Sequence, residues 1–178
     1  MELTTSELTI LGLLIERPQH GYDLEQVIQR RGIREWTDIG FSSIYYLLTK
    51  LETRRLIHAP EQGAGAKSRR IFHATSEGRA TAGRAALALI AEPKAVQHPI
   101  LAGLANLPLV YEEEYAAAIR SRLAHIDARL EAIRSAQQAQ EPLPLPAREV
   151  FSYSLSLLEA ERSWLATRIQ KVPDDGQD

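Results

Sequence analysis

A chain of 178 residues with 44% apolar side chains and a formal charge of −2 has material for one domain, or for a small domain plus an appendage, which excludes global disorder. It contains no cysteine, so disulfides and thiolate metal sites are excluded, and a reducing interior fits. No apolar run approaches the roughly 18 residues that suggest a membrane span, and Met1-Glu2-Leu3-Thr4-Thr5 has no basic leader; a soluble, cytoplasmic protein without a membrane partner is expected.

Thr4, with Glu7 three residues on, is a capping-box pattern, and Leu8, Leu11, Leu14 and Ile15 continue it as the stripe of a first helix. Pro18 ends that helix near Arg17. A second helix is predicted from His20 or Gly21 to Arg31, with Tyr22, Val27 and Ile28 inward and Gly32 as its stop. Residues 33–41 form a loop holding Trp36, and Asp38 or Ser42 is expected to cap a third helix. There, Ile44, Leu47, Leu48 and Leu51 recur at the steps of a buried stripe, while Ser43, Tyr46, Lys50 and Arg54 fall on the other side. That outer face carries the hydroxyl, phenol, ammonium and guanidinium groups that grip phosphates and base edges.

Leu56-Ile57-His58-Ala59 reads as a short strand, followed by a Gly- and Ala-rich turn, Lys67-Ser68-Arg69-Arg70 and a second strand, Ile71-Phe72-His73-Ala74. Thr75-Ser76-Glu77 starts a fourth helix to about Ile90, with Leu87 and Ile90 inward. Pro93 and Pro99 mark a break, and residues 100–109 allow a short helix or turn. The predicted fold is mostly α: a winged helix-turn-helix with a small β-hairpin wing over residues 1–92, a connector over 93–111, a helical domain over 112–172 and a frayed tail over 173–178.

In the helical part, Tyr115, Ile119, Leu123, Ile126, Leu130 and Ile133 follow an a/d spacing. The prolines of residues 141–146 break it, and a last helix from about Ala147 to Lys171 carries Phe151, Leu155, Leu158, Leu165 and Ile169. An antiparallel hairpin of this kind leaves an apolar stripe, which a second copy related by a two-fold axis would cover. The expected dimer interface is Tyr115, Ile119, Leu123, Ile126, Leu130, Phe151, Leu155, Leu158 and Leu165; packing onto the chain's own first domain is the alternative.

The charge is unevenly distributed. Residues 42–70 hold six basic and two acidic side chains, whereas residues 86–178 hold nine basic and thirteen acidic ones. A positive patch on an acidic chain is the footprint of a polyanion site. Rival chemistry has little support: no P-loop, GxGxxG or HExxH pattern occurs, and His20, His58, His73, His98 and His125 lack ligand spacing. No enzyme activity, metal or cofactor is expected. The acidic run Glu112-Glu113-Glu114 suits a helix start.

Taken together, these residues resemble the PadR family of bacterial transcriptional regulators. Leu11-Gly12-Leu13-Leu14 followed by Pro18-Gln19-His20-Gly21-Tyr22-Asp23-Leu24 resembles the family's first helix and junction. Ser43-Ile44-Tyr45-Tyr46-Leu47-Leu48 with Lys50-Leu51-Glu52 and Leu56-Ile57 resembles its recognition helix, and Arg70-Ile71-Phe72-His73-Ala74-Thr75 with Glu77-Gly78 its wing. The helical C-terminal part resembles the larger-bodied subgroup. Arg55 stands where the family usually has Gly, and His73 where an aromatic such as Tyr is frequent.

The resemblance implies double-stranded operator DNA as partner, with the third helix in the major groove. The candidate DNA-binding residues are Ser42, Ser43, Tyr45, Tyr46, Thr49, Lys50 and Arg54 of that helix, Lys67, Arg69 and Arg70 of the wing, and His20 and Tyr22 at the second helix's start. Core packing is an equal alternative for Tyr45, and fixing the inter-helix turn for His20 and Tyr22. Gly63 and Gly65 would let the wing bend. The expected function is a homodimeric, sequence-specific repressor, switched in many relatives by a small-molecule effector. Trp36, Tyr111, Tyr115, Phe151, Tyr153 and Trp164 are the aromatic candidates for an effector site, with core packing as the commoner role for aromatics at helical spacing. The alternative is a winged-helix protein-interaction module that does not read DNA.

Overall fold

Thr4 opens the fold as its sequence predicts: its hydroxyl accepts from the Glu7 amide (3.1 Å) while the Glu7 carboxylate accepts from the Thr4 amide (2.8 Å), closing a capping box. The structure, a computed structural model, describes residues 2–40, 43–60 and 70–169. It divides into two compact units, Met1–Ala95 and Val96–Asp178.

Helix α1 (Thr5–Glu16) buries Ile10, Leu11, Leu13 and Leu14 and stops at extended Arg17, before Pro18. Two residues, Gln19–His20, then form strand β1, which the sequence did not announce. Helix α2 (Gly21–Arg30) packs inward with Leu24 and Ile28, and Gly32 at φ 64° ends it. Tyr22 is therefore not an inner position: Leu24 and Ile28, one turn apart, hold that face, which turns Tyr22 outward.

Helix α3 (Ser43–Thr53) buries all four stripe residues, Ile44, Leu47, Leu48 and Leu51, against α1 and α2. It ends in a Schellman turn: the Arg55 amide donates to Glu52 O (2.8 Å) and the Leu56 amide to Leu51 O (3.0 Å). The turn requires a left-handed residue, and here Arg55 adopts φ 58°.

Strands β2 (Ile57–His58) and β3 (Ile71–Ala74) form the described base of the wing. Strand β3 lies centrally in an antiparallel sheet of order β1-β3-β2, pairing Gln19 with Phe72 and Ile57 with Ala74. Helix α4 (Ser76–Ala91) is capped by Thr75, whose hydroxyl also donates to Leu56 O. Gly78 allows this close approach, since a Cβ there would lie 2.1 Å from Leu56 O. Leu87 and Ile90 were expected inside but are exposed, Ile90 at 82%. The buried positions of α4 are Gly78 and Ala82, in its N-terminal half. Small residues there allow a close approach, so no large side chain is needed.

In the second unit, α5 (Pro99–Ala105) and a 3-10 turn (Leu107–Leu109) precede two long helices, α6 (Glu112–Ala139) and α7 (Leu145–Ile169). These form a hairpin whose seam buries Ile119, Ile126, Leu130 and Leu165, with Tyr115, Leu123, Leu155, Leu158, Trp164 and Ile169 packed against it. The residues expected to meet a second copy are thus largely used within the chain. An a/d seam needs one facing helix, and α7 supplies it. Arg122–Glu161, Arg134–Glu159 and Arg162–Asp127 ion pairs bridge the hairpin. The outward large apolar residues of α7 are Leu145 at its start and Val150, Tyr153 and Leu157 along its length.

Candidate nucleic-acid interface

Because Ile44, Leu47, Leu48 and Leu51 fix the rotation of α3, the opposite side of the helix faces water. Tyr45 and Tyr46 are 62% and 66% exposed, and Thr49 is exposed beside them with its hydroxyl donating to Tyr45 O (3.0 Å). Ser43, half-buried at the helix start, donates to Gly40 O (2.6 Å).

This face does not stand alone. A groove of about 400 Å³ is lined by His20, Gly21, Tyr22, Tyr45, Leu48, Thr49, Arg70 and Phe72. It brings the start of α2, the outer face of α3 and the start of β3 onto one surface. Gly21 makes the junction: a Cβ there would lie 2.8 Å from the Tyr45 ring. His20 donates from Nδ1 to Arg70 O (3.1 Å), tying helix start to wing. Arg70 lies over the Phe72 ring, 5.1 Å from its centroid, and pairs with Glu52 of α3. Further along the wing base, His58 and His73 are cross-strand partners with stacked rings.

Two candidates behave differently. Lys50 Nζ lies 3.0 Å from Glu7 Oε1, and Arg54 Nη1 lies 3.2 Å from the same oxygen. Glu7 is only 1% exposed. Burial opposes its charge, but the Thr4 amide, Lys50 and Arg54 together outweigh that and hold the carboxyl below its usual range. Sequence reading took Glu7 only as a helix cap; the buried ion triad needed the tertiary packing of α1 on α3. Of the remaining candidates, Ser42, Lys67 and Arg69 lie outside the described residues, as do Gly63 and Gly65.

The aromatic effector candidates are scattered in environment. Tyr115 and Trp164 pack on the hairpin seam, Phe151 is half-buried, and Trp36, Tyr111 and Tyr153 are exposed. Among the described residues no cluster of three or more potential metal ligands occurs, and no helix is long and apolar enough to cross a membrane.

Residues 10–84 match the Transcriptional regulator PadR-like family. No curated protein matches the sequence. Solved structures match over nearly the whole chain. Bacillus subtilis PadR in complex with operator DNA is similar at a TM-score of 0.76 and 19% identity, over 96% of this chain and 100% of that one. The same protein with p-coumaric acid gives 0.77 and 18%, over 93% and 97%. The Vibrio cholerae virulence activator AphA gives 0.70 and 16%, over 93% and 96%. Residues 10–84, which include the face formed by α2, α3 and β3, thus match the PadR-like family model, and the chain has the fold of the solved PadR-like regulators.

Proposed function

We propose that this chain is a homodimeric, sequence-specific DNA-binding regulator that acts as a repressor and responds to a small aromatic effector. The observation that carries the DNA reading is the single outward surface made by Tyr45, Tyr46 and Thr49 of α3 with His20, Tyr22 and Arg70. An α-helix with this exposed polar face fits the major groove, and the flanking groups fall where backbone contacts are made. The likeness to B. subtilis PadR, solved with operator DNA and with p-coumaric acid, supports both the partner and the effector class.

Dimerisation follows from geometry and reading symmetry. One recognition helix covers one half-site, and a two-fold pair doubles it. Since the a/d seam is closed within the hairpin, the dimer surface is reassigned to the outward stripe Val150, Tyr153 and Leu157 of α7.

A second reading has one observation in its favour. Of the four described cations of residues 42–70, three, Lys50, Arg54 and Arg70, are each paired with a carboxylate. A face rich in tyrosine with little unpaired charge suits a protein partner. Fluorescence anisotropy over a salt series decides, using duplex from upstream of the protein's own gene and a scrambled control. Tight, salt-dependent preference for the native duplex supports regulation; p-coumarate added to that complex then tests the effector class. No binding at low salt leaves the protein-interaction module.

A further inference from the structure

We infer that Glu7 is a positioning residue for DNA binding: its buried carboxylate takes up Lys50 and Arg54, fixes the rotation of α3, and removes charge from the phosphate-facing surface. The inference rests on the DNA-binding reading and goes beyond it, because it withdraws two cations from the contact set and gives an α1 residue control over α3.

The geometry is specific. Each Glu7 oxygen has its own duty: Oε2 accepts from the Thr4 amide, while Oε1 lies within ion-pair distance of both Lys50 and Arg54. Lys50 and Arg54 are four residues apart, so they stand one above the other on a single flank of α3. That flank is neither the inner stripe nor the exposed face of Tyr45, Tyr46 and Thr49. A carboxylate anchored in α1 by its own cap therefore holds α3 from the side. Rotation about the helix axis would break two ion pairs and leave a buried charge unmet, which is far costlier than never having the pair. Lys50 and Arg54 have side chains only 31% and 19% exposed, which does not suit counterion-releasing phosphate contacts.

The readout is the slope of log affinity against log salt, together with the affinity ratio of native to scrambled duplex. Glu7→Gln keeps an oxygen for the Thr4 amide but removes the charge. It is expected to steepen the slope by about one unit, because one more positive charge becomes available to phosphate. It should also lower the native-to-scrambled ratio, since α3 loses its lateral anchor. Lys50→Met, which leaves Arg54 on Glu7, is expected to leave the slope unchanged.

A merely structural role for Glu7 would lower stability without steepening the slope. Lys50→Met flattening the slope by about one unit would place Lys50 on a phosphate and overturn the inference. So would Glu7→Gln with unchanged slope and ratio. Where Glu7→Gln does not stay folded by circular dichroism, the Lys50→Met slope decides alone. Absence of salt-dependent binding by the unaltered protein removes the DNA reading itself, and the inference with it.

Discussion

Arg55 is the position at which a single substitution should make the protein more stable. It sits at φ 58° in the Schellman turn that ends α3, held there by the Arg55 and Leu56 amide bonds to Glu52 O and Leu51 O. For a residue with a Cβ this region costs about 1–2 kcal/mol, and glycine occupies it freely. Glycine also loosens the unfolded chain, which returns about 0.5–1 kcal/mol of that gain. Arg55→Gly should therefore stabilise by a net ~0.5–1 kcal/mol. With a urea slope of about 2 kcal/mol/M, the midpoint should rise by ~0.3–0.5 M, read by far-ultraviolet circular dichroism. A ladder of variants separates strain from side-chain contacts. Arg55→Ala keeps the strain and should stay near the parent, and Arg55→Asn should fall between, because Asn tolerates the left-handed region. A midpoint for Arg55→Gly at or below that of Arg55→Ala would refute the reasoning, because the two variants differ only in the strain at this position and not in the lost Arg55 side chain.

Four further outcomes are expected. Gly78→Ala should cost about 2–3 kcal/mol or more, because its Cβ would meet Leu56 O at 2.1 Å; calorimetry showing under ~1 kcal/mol would mean that the α4 cap relaxes easily. Glu7 has a depressed folded-state pKa, so its contribution is present above its ordinary value of 4.5 and lost as pH falls through the folded value. The stability gap between the parent and Glu7→Gln should accordingly be flat near neutrality and shrink below pH 4.5; a gap unchanged down to pH 3 would contradict the ion triad. Tyr46→Ala should weaken operator binding about tenfold or more while changing stability by less than ~0.5 kcal/mol, measured by anisotropy and urea unfolding side by side. Leu157→Glu on the outward face of α7 should halve the mass seen by light scattering, and an unchanged mass would move the dimer contact elsewhere.

Much of this architecture is local in origin, which is why it could be read from the sequence. The Thr4–Glu7 box, the stop at Pro18, the stop at Gly32 and the buried stripe of α3 depend on neighbours within one or two turns. What escaped depends on partners far along the chain. Strand β1 is two residues long and exists because β3 lies beside it, a separation of about fifty residues for which Gln19 and His20 carry no local signal. Tyr22, Leu87 and Ile90 were assigned inward from apolar character alone, but burial on a helix goes to whichever face meets a neighbour. The a/d spacing of α6 and the hairpin it makes with α7 were legible, but how much of the seam the hairpin itself buries was not, because heptad spacing specifies a facing helix without saying whose. At the site, the exposure of Tyr46 followed from periodicity and that of Tyr45 did not, whereas the pairing of Lys50 and Arg54 depended on Glu7, forty-three and forty-seven residues earlier.

The two-residue strand β1 has a mechanical consequence. Gln19 and His20 are paired with Phe72 and Ile71, and the Gln19 amide group donates to Leu13 O of α1. The same backbone runs from His20 directly into the first turn of α2. The root of the wing and the entry to α2 are therefore a single splint with no hinge between them. A duplex that levers β3 outward must also tilt the helix carrying Tyr22 and disturb the seat of Tyr45 on Gly21. If the proposed DNA reading holds, stiffness at this splint turns the width of a groove into a strain felt under α3, so that the shape of the double helix is sensed by the same few residues that would touch its edges.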